Sequence, residues 1–557
     1  MLHSFAAKLS THPRRTLFAV LAFVAVAGLI GGPLAGSLKS SGGFAPPGSD
    51  SAVATRQLQA ATGAEPYPAV VLLVDTPQGA RAAGSRIAAL AARLTQVSGV
   101  LRVSAPAAVA RDDRHVLIAA TLRAGASDSS AAKAAEAAFR SSPGVIVGGS
   151  ALTSEQISST VTKDLGRAEL LALPLLMGLS LLFFRGRAAL MPVAVGIATV
   201  LGTFLALTAV NQLYGLNVFA LNLVIGLGLG LAIDYTLFLV TRLREELAAG
   251  RSTPDAIAVT LARAGRTILF SATTVACALG TLVVFPEGFL KSMGIAGATV
   301  AIVAAFAALI ISPALLGLWG CKLARGRKAT SAEGRWYRFA RAVMRRPAIV
   351  AGLTSVAMLA AASPALGVAW TPIDNAVIPD GQSSRTVADA ITQEFDGAGQ
   401  SPVTVAITAP RSDQAAVSAY AARVSKLPAI TRLDPPRALG DRTWQVDAHV
   451  SGDPRGATAQ QAVNEIRAAP APFPTKVTGQ AASFLDQQSG IASHLPVAIG
   501  LLALLTFIVL WLMTDSLVLP LKAITMNALT VGAALSPLVL IYQHGRLASL
   551  LGYTPNG

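Results

Sequence analysis

The sequence predicts a polytopic α-helical membrane protein with two extracytoplasmic α+β domains of ferredoxin-like βαββαβ order. The whole is a tandem repeat whose second half is incomplete. Three observations predict it: long apolar segments in a chain of low charge, two long polar segments of matching pattern, and a recurrence of landmarks at an offset of roughly 330 residues. The 557 residues carry only 13% charged side chains, where a soluble protein carries about 25%. The mean hydropathy is +0.57. The net charge of +16 would suit nucleic acid, but the basic residues sit in short loops between apolar spans, which is the positive-inside signature. Cys277 and Cys321 lie in or beside apolar spans without metal-ligand spacing. No P-loop and no HExxH pattern is present, so no ATPase, metal or cofactor is expected.

A membrane helix needs about 20 mostly apolar residues. Nine such spans read near 17–36, 168–184, 188–210, 216–241, 267–285, 293–318, 348–366, 495–513 and 520–541. The first, with an apolar run from Leu17 to Leu34, is longer than a signal-peptide core and is expected to remain as an anchor. Between spans six and seven lie Lys322, Arg325, Arg327, Lys328, Arg335, Arg338, Arg341, Arg345 and Arg346 against the single acid Glu333. That loop is expected in the cytoplasm. Arg185 and Arg187, then Arg242, Arg244, Arg251, Arg263 and Arg266, and His12, Arg14 and Arg15 at the N-terminus agree with one topology. The expected location is therefore a bacterial inner membrane, multi-pass, with a cytoplasmic N-terminus.

The implied domains are 1–36 (N-terminal segment and first span), 37–167 (first external domain) and 168–320 (spans two to six). Residues 321–347 form a basic cytoplasmic loop with an amphipathic helix, 348–366 span seven, 367–494 the second external domain, and 495–557 spans eight and nine with the start of the next loop. The first external segment reads as a strand at Ala69–Val74, a helix through Ile87, Leu90, Leu94 and Val97, strands near Val100–Val103 and His115–Leu122, a helix over Ala131–Phe139, and a closing strand at Val145–Val147. The second repeats this with Val403–Ile407, Ala415–Val424, Ile430–Leu433, Trp444–Val450, Ala459–Ile466 and Lys476–Thr478. The segment Gly334–Arg346, with Trp336, Phe339 and Val343 at helical spacing and arginines between, reads as an interfacial helix, echoed by Phe5 and Leu9.

The halves keep their landmarks in order. Phe5 matches Phe339 and Pro13 matches Pro347. Pro46-Pro47-Gly48 matches Pro379-Asp380-Gly381, Val147–Ala151 matches Val477–Ala481, and Pro192 matches Pro520. Parallel repeats of this kind are a transporter architecture. Five spans follow the first external domain and only two follow the second, so the sequence reads as a fragment, a truncated product or half of a split gene. On that reading the counterpart of span four falls about where the sequence ends. The chain alone is expected to insert without transporting, and to need a downstream polypeptide with the missing spans or a homo-oligomer mate.

The chemistry concentrates in span four. Asp234 lies eight residues before Arg242, about 12 Å inside the cytoplasmic edge at 1.5 Å per residue. A carboxylate in lipid costs at least about 2.5–3.5 kcal/mol, so Asp234 is expected to face the bundle interior and to act as a group that takes up and releases protons. Tyr235 points about 100° away and is either a relay partner or a packing aromatic. Gly226, Gly228 and Gly230 read as helix-packing residues, the first and last at GxxxG spacing. In span five, Ser271, Thr273 and Thr274 are possible relay neighbours of Asp234, or bond back to their own helix. The only cluster suggesting an enzyme, Asp112-Asp113 beside His115, reads as a solvated turn, and no nucleophile elbow is present.

The run Gly226–Glu246, with Ile-Asp-Tyr followed by Thr-Arg-Leu-Arg-Glu-Glu, resembles the fourth span of MMPL transporters of the RND superfamily. Arg263–Ser271 is similar to the start of that family's span five, and the likeness covers essentially the whole chain. It implies a twelve-span RND fold with two periplasmic porter domains, and export of lipids or other hydrophobic molecules coupled to proton influx. It also implies a proton relay of Asp-Tyr pairs on spans four and ten. Asp234 and Tyr235 match the first pair, and no span ten is present to supply the second. The partners implied are membrane lipids and a hydrophobic substrate, and no nucleic acid. The alternative from another class is a non-transporting scaffold or lipid-sensing protein with an RND-like fold.

Overall fold

The computed structural model describes residues 13–38, 44–184, 189–323, 334–371, 378, 381–395, 402–451 and 454–551. The first half runs α1 (Pro13–Gly31), α2 (Leu34–Ser37), α3 (Asp50–Thr62), β1 (Val70–Asp75), α4 (Gly84–Leu94), β2 (Val100–Val109), β3 (His115–Leu122), α5 (Asp128–Phe139), β4 (Val145–Gly148), α6 (Ser150–Phe184), α7 (Leu190–Tyr214), α8 (Phe219–Ala248), α9 (Thr253–Gly280) and α10 (Gly288–Leu323). After α11 (Arg335–Arg345) come α12 (Pro347–Ala362), α13 (Ser383–Glu394), β5 (Val403–Thr408), α14 (Gln414–Val424), β6 (Arg432–Leu433), β7 (Arg437–Ala438), β8 (Thr443–His449), α15 (Ala457–Ala468), β9 (Thr475–Thr478), α16 (Gln480–Thr514), α17 (Val518–Leu538) and α18 (Ala548–Leu551). The chain divides into two compact units, one of 1–39, 165–368 and 494–546, the other of 40–164, 369–493 and 547–557.

In the first unit, eight helices among the described residues are long and apolar enough to cross a membrane: α1, α7, α8, α9, α10, α12, α16 and α17. The remaining expected span, near 168–184, falls on the end of α6, where the side chains of several residues lie outside the described set, as do Arg185, Arg187, Arg325, Arg327 and Lys328. Around one core pack Met191 and Val195 of α7, Leu239 and Leu243 of α8, Leu261 and Ile268 of α9 and Leu309 and Leu315 of α10, with Leu17, Val20 and Val24 of α1 against them. Such helices are apolar on most sides, so what fixes their contact faces is shape rather than polarity. In the second half α12 packs on α17, where a Cβ on Gly532 would come within 2.9 Å of Ala362.

In the second unit the first sheet has the order β2-β3-β1-β4 and the second β6-β8-β5-β9, with β7 also on β8. Neighbouring strands are antiparallel throughout. Strand β2 runs to Val109, past the expected Val103, and carries two register shifts. Its counterpart is split into the two-residue strands β6 and β7. Each closing strand is followed by a glycine in the left-handed region, Gly149 at φ 98° and Gly479 at φ 125°. A Cβ there would stand 2.6 Å from the Ala69 carbonyl oxygen and 2.8 Å from that of Pro402. The Val-Gly-Gly-Ser-Ala and Val-Thr-Gly-Gln-Ala match therefore marks a backbone turn that needs glycine in both halves.

Two helices, α3 and α13, stand outside the expected βαββαβ plan, and they are exchanged. α3, from the first half, packs on β9, β5 and β8 of the second sheet, while α13 packs on β4 and β1 of the first. Ala54 and Leu58 bury against Ala406. Val387, Ala390, Ile391 and Phe395 bury against Val71, Leu73 and Leu117. Ionic and polar contacts fix both. Asp50 meets Lys476 Nζ at 2.8 Å and Arg467 at 3.4 Å and accepts the Val477 N–H at 2.9 Å. Asp486 accepts the Ser51 N–H at 2.8 Å and pairs with Arg467 at 2.8 Å. Burial alone would raise the Asp50 carboxyl. Lys476, the Val477 N–H and Arg467 outweigh it and hold the group below its ordinary value. On the other side Glu394 meets His115 Nδ1 at 2.7 Å, so the His115 of the Asp112-Asp113 turn is taken up by α13. Asp113 itself, at φ 59°, accepts the Ala80 N–H at 3.2 Å. The matched motif Pro46-Pro47-Gly48 leads into α3; Pro379 and Asp380 of its counterpart lie outside the described residues.

Candidate functional site

The site lies on α8 and α9. The α8 start is set by Asn217, whose side-chain oxygen accepts the Phe219 N–H at 3.1 Å. Its end is set by Gly250 at φ 83°. Ser252 then caps α9, accepting the Asp255 N–H at 3.4 Å, with Pro254 in the first turn. So short a connection makes α8 and α9 antiparallel neighbours.

The two faces of α8 differ. Gly228, Ala232, Tyr235, Leu239 and Leu243 are buried; Gly226, Gly230, Asp234, Leu237, Phe238 and Thr241 are exposed. Asp234 thus does not face the interior of the described bundle, contrary to the expectation from its cost in lipid. It sits mid-way along an open stripe with Gly226 and Gly230 spaced four residues apart above it. The packing glycine is Gly228: a Cβ there would meet Val300 at 3.1 Å and Thr199 at 3.4 Å. One on Gly226 or Gly230 would meet nothing within 4 Å. The GxxxG pair therefore offers a small-residue surface to a neighbour that is not one of the described helices.

Tyr235 turns inward as its adjacent position requires. Its buried hydroxyl lacks a hydrogen bond of good geometry, with Ser271 of α9 as its neighbour across the helix pair. Of the three candidate hydroxyls, Ser271 is the one beside Tyr235. Thr273 and Thr274 donate to the carbonyls of Leu269 and Phe270, each at 2.8 Å, and so serve their own helix. Cys277 on α9 is a free thiol, and no group of acids, histidines and cysteines able to hold a metal occurs among the described residues.

From Asp234 toward the arginine-rich end the same two faces line an open cleft of about 310 Å³, formed by Phe238, Thr241, Arg242 and Glu245 of α8 with Arg263, Ala264 and Thr267 of α9. Phe238 lies one turn from Asp234, and Thr267 one turn from Ser271, so the cleft mouth begins about 6 Å along the axis from the carboxyl. Beneath it sits Glu246, which sequence reasoning passed over as part of a charged exit. It is buried, and it meets Arg242 at 3.0 Å, Arg251 at 2.9 Å and Arg263 at 3.6 Å. Glu245 pairs with Arg242 at 2.6 Å. One buried acid holding three arginines ties the α8 end to the α9 start. Arg242 four residues before Glu246 on one helix, Arg251 five residues after it in the connection and Arg263 on the next helix were the signal available.

The MMPL family profile matches residues 43–350 and 376–555. The chain belongs to the MMPL family. A membrane protein of Streptomyces coelicolor is 35% identical to it over 476 residues, covering 83% of this chain and 66% of that protein. The trehalose monomycolate exporter MmpL3 of Mycobacterium tuberculosis is 29% identical over 450 residues, 72% of this chain and 48% of MmpL3. The mycolic acid-containing lipids exporter MmpL11 of Mycolicibacterium smegmatis is 28% identical over 430 residues, 73% of this chain and 45% of MmpL11. This MMPL chain therefore spans between about half and two thirds of the length of these relatives. Among solved structures, the cryo-EM structure of the hedgehog release protein Disp from the water bear Hypsibius dujardini aligns with a TM-score of 0.59 at 12% identity, covering 97% of this chain and 86% of that one. At that identity the likeness establishes a shared fold. With its eight apolar helices the MMPL chain is a multi-pass bacterial inner-membrane protein.

Proposed function

We propose that the chain works in a proton-motive-force-driven transporter that exports lipids or other hydrophobic molecules, and that Asp234 carries the proton. The observation that carries this reading is the place of Asp234: one carboxyl on an otherwise apolar open stripe, flanked by Gly226 and Gly230 and opening toward a polar cleft. While the stripe borders water, the carboxylate is solvated. When a helix closes on the two glycines, an ionised Asp234 costs at least about 2.5–3.5 kcal/mol and a protonated one far less. Proton uptake therefore favours the closed packing and proton loss the open one, which is the two-state element that coupling requires. Tyr235 and Ser271, side by side across α8 and α9, are relay partners for the proton on this reading. No helix among the described residues covers the stripe.

The lipid cargo is supported by the relatives named as exporters of trehalose monomycolate and of mycolic acid-containing lipids. The basic loops around Arg242–Arg266 and Arg335–Arg346 support a cytoplasmic location for that end and for the N-terminus. The antiparallel orders β2-β3-β1-β4 and β6-β8-β5-β9, each with two crossing helices, support reading 37–167 and 367–494 as ferredoxin-like porter domains. The decisive experiment places Asp234→Asn on the chromosome of the native host and measures lipid export under a normal proton gradient. Loss of export with normal protein levels is expected. Undiminished export would remove Asp234 from the coupling mechanism.

A further inference from the structure

A second acid is buried at the end of the bundle opposite the arginine-rich one. Glu287 follows the short helical turn Thr281–Val284 and directly precedes α10. It is 0% exposed, and neither carboxylate oxygen has a hydrogen-bond partner of good geometry. Its polar neighbours are satisfied elsewhere. The Asn217 N–H donates to Ser292 Oγ at 3.1 Å, Ser292 donates to the Gly288 carbonyl at 2.7 Å, and Thr281 donates to that of Ala278 at 2.6 Å. An ionised carboxylate left without donors is among the most costly states a side chain can occupy.

Two basic residues lie within electrostatic reach, His494 on α16 and Lys291 one turn along α10. The turn closing α9 brings no titratable group. Burial pushes the Glu287 carboxyl up, and its own N–H, His494 and Lys291 oppose without cancelling this. The N-terminus of α10 also favours the anion. Burial prevails, so the neutral acid is favoured beyond its ordinary range.

We propose that Glu287 is a second protonatable site of the bundle, whose ionised form attracts His494 and whose neutral form releases that attraction between α10 and α16. The gain of one proton by the carboxylate is the whole chemical step. Because α16 continues directly from β9, the release acts on a helix shared with the external fold. The titration stands without the exporter reading; only its use in transport rests on that reading.

The test is an infrared pH titration of the full chain in nanodiscs, following the protonated-carboxyl band. The expected result is a titrating band that is lost in Glu287→Gln, kept in Asp234→Asn, and raised in midpoint by at least about half a pH unit in His494→Gln, which removes a basic group. Glu287→Asp, in case the glutamine variant does not fold, keeps a band with a shifted midpoint. A band unchanged in Glu287→Gln or in both Glu287→Asp and His494→Gln overturns the proposal. Full proton flux by Asp234→Asn in liposomes with this band intact would instead remove Asp234 from the coupling mechanism and leave the Glu287 site standing.

Discussion

Gly148, the last residue of β4, tests the exchanged helix α13 directly. A Cβ at that position would lie 2.5 Å from Val387 Cβ and 2.7 and 2.8 Å from its two γ-carbons. Carbon atoms pack at about 3.5–4.0 Å, so Gly148→Ala requires α13 to lift by about 1 Å. Overpacking of this kind costs about 1–3 kcal/mol, and because the overlap is with the β-carbon itself, rotating Val387 cannot relieve it. The expected result is a rise of about 5- to 150-fold in the amide exchange of residues 383–394 in the purified chain, the factor that 1–3 kcal/mol of local opening implies. Val387→Ala should not rescue Gly148→Ala, since the β-carbon remains; Val387→Gly should, at the cost of a cavity. If exchange over 383–394 is unchanged in Gly148→Ala, or if Val387→Ala restores it fully, the contact does not hold α13 in place.

The opposite anchor responds to acid. The Asp50 carboxyl is held below its ordinary value, so its contribution is complete above about pH 4, the unfolded value, and is lost as pH falls through the lower folded one. Exchange of α3 should rise steeply in that acid window, while Asp50→Asn should show raised exchange at neutral pH, by about 1–3 kcal/mol, and no acid step; an identical acid profile in both would count against the network. The glycines of α8 separate packing from docking. Gly228→Leu should lower the thermal stability of the chain, with Val300 3.1 Å from the new Cβ, whereas Gly230→Leu should leave stability unchanged and abolish export. Equal melting temperatures for the two would show that Gly228 is not the buried contact.

Periodicity and composition carried the sequence reading a long way, because they are local. The Val-rich run before Asp75, the helix through Ile87, Leu90 and Leu94, and the apolar spans all follow from side chains within a few residues of one another. What stayed hidden depends on distant partners. Nothing near Asp50–Thr62 says that its apolar residues bury against Ala406 rather than the sheet that follows it in sequence. Helical spacing puts Gly226, Gly230 and Asp234 on one face and Gly228 on another, but it does not say which face meets α7 and α10. An intramembrane acid is expected inward on energetic grounds; Asp234 lies outward among the described residues, where its solvation depends on what covers the stripe. The Thr273 and Thr274 hydroxyls had two partners open to them, and the nearby backbone carbonyl, always within reach, took both. Ser271, lacking the β-methyl and facing Tyr235, did not follow them.

The exchange of α3 and α13 also sets an order of events during synthesis. The first sheet is complete once β4 has left the ribosome, yet the outer side of that sheet, with Val71, Leu73 and Leu117, stays bare until Val387 and Phe395 emerge. Between them come α7 to α10 and α12, five helices long and apolar enough to cross a membrane. During that interval a sheet surface meant for burial is exposed and α3 has no seat. Pairing is therefore long-range and late. A mutation that slows insertion anywhere from α7 to α10 should prolong this exposed state and lower the yield of folded protein, even where it leaves every contact of the finished fold untouched.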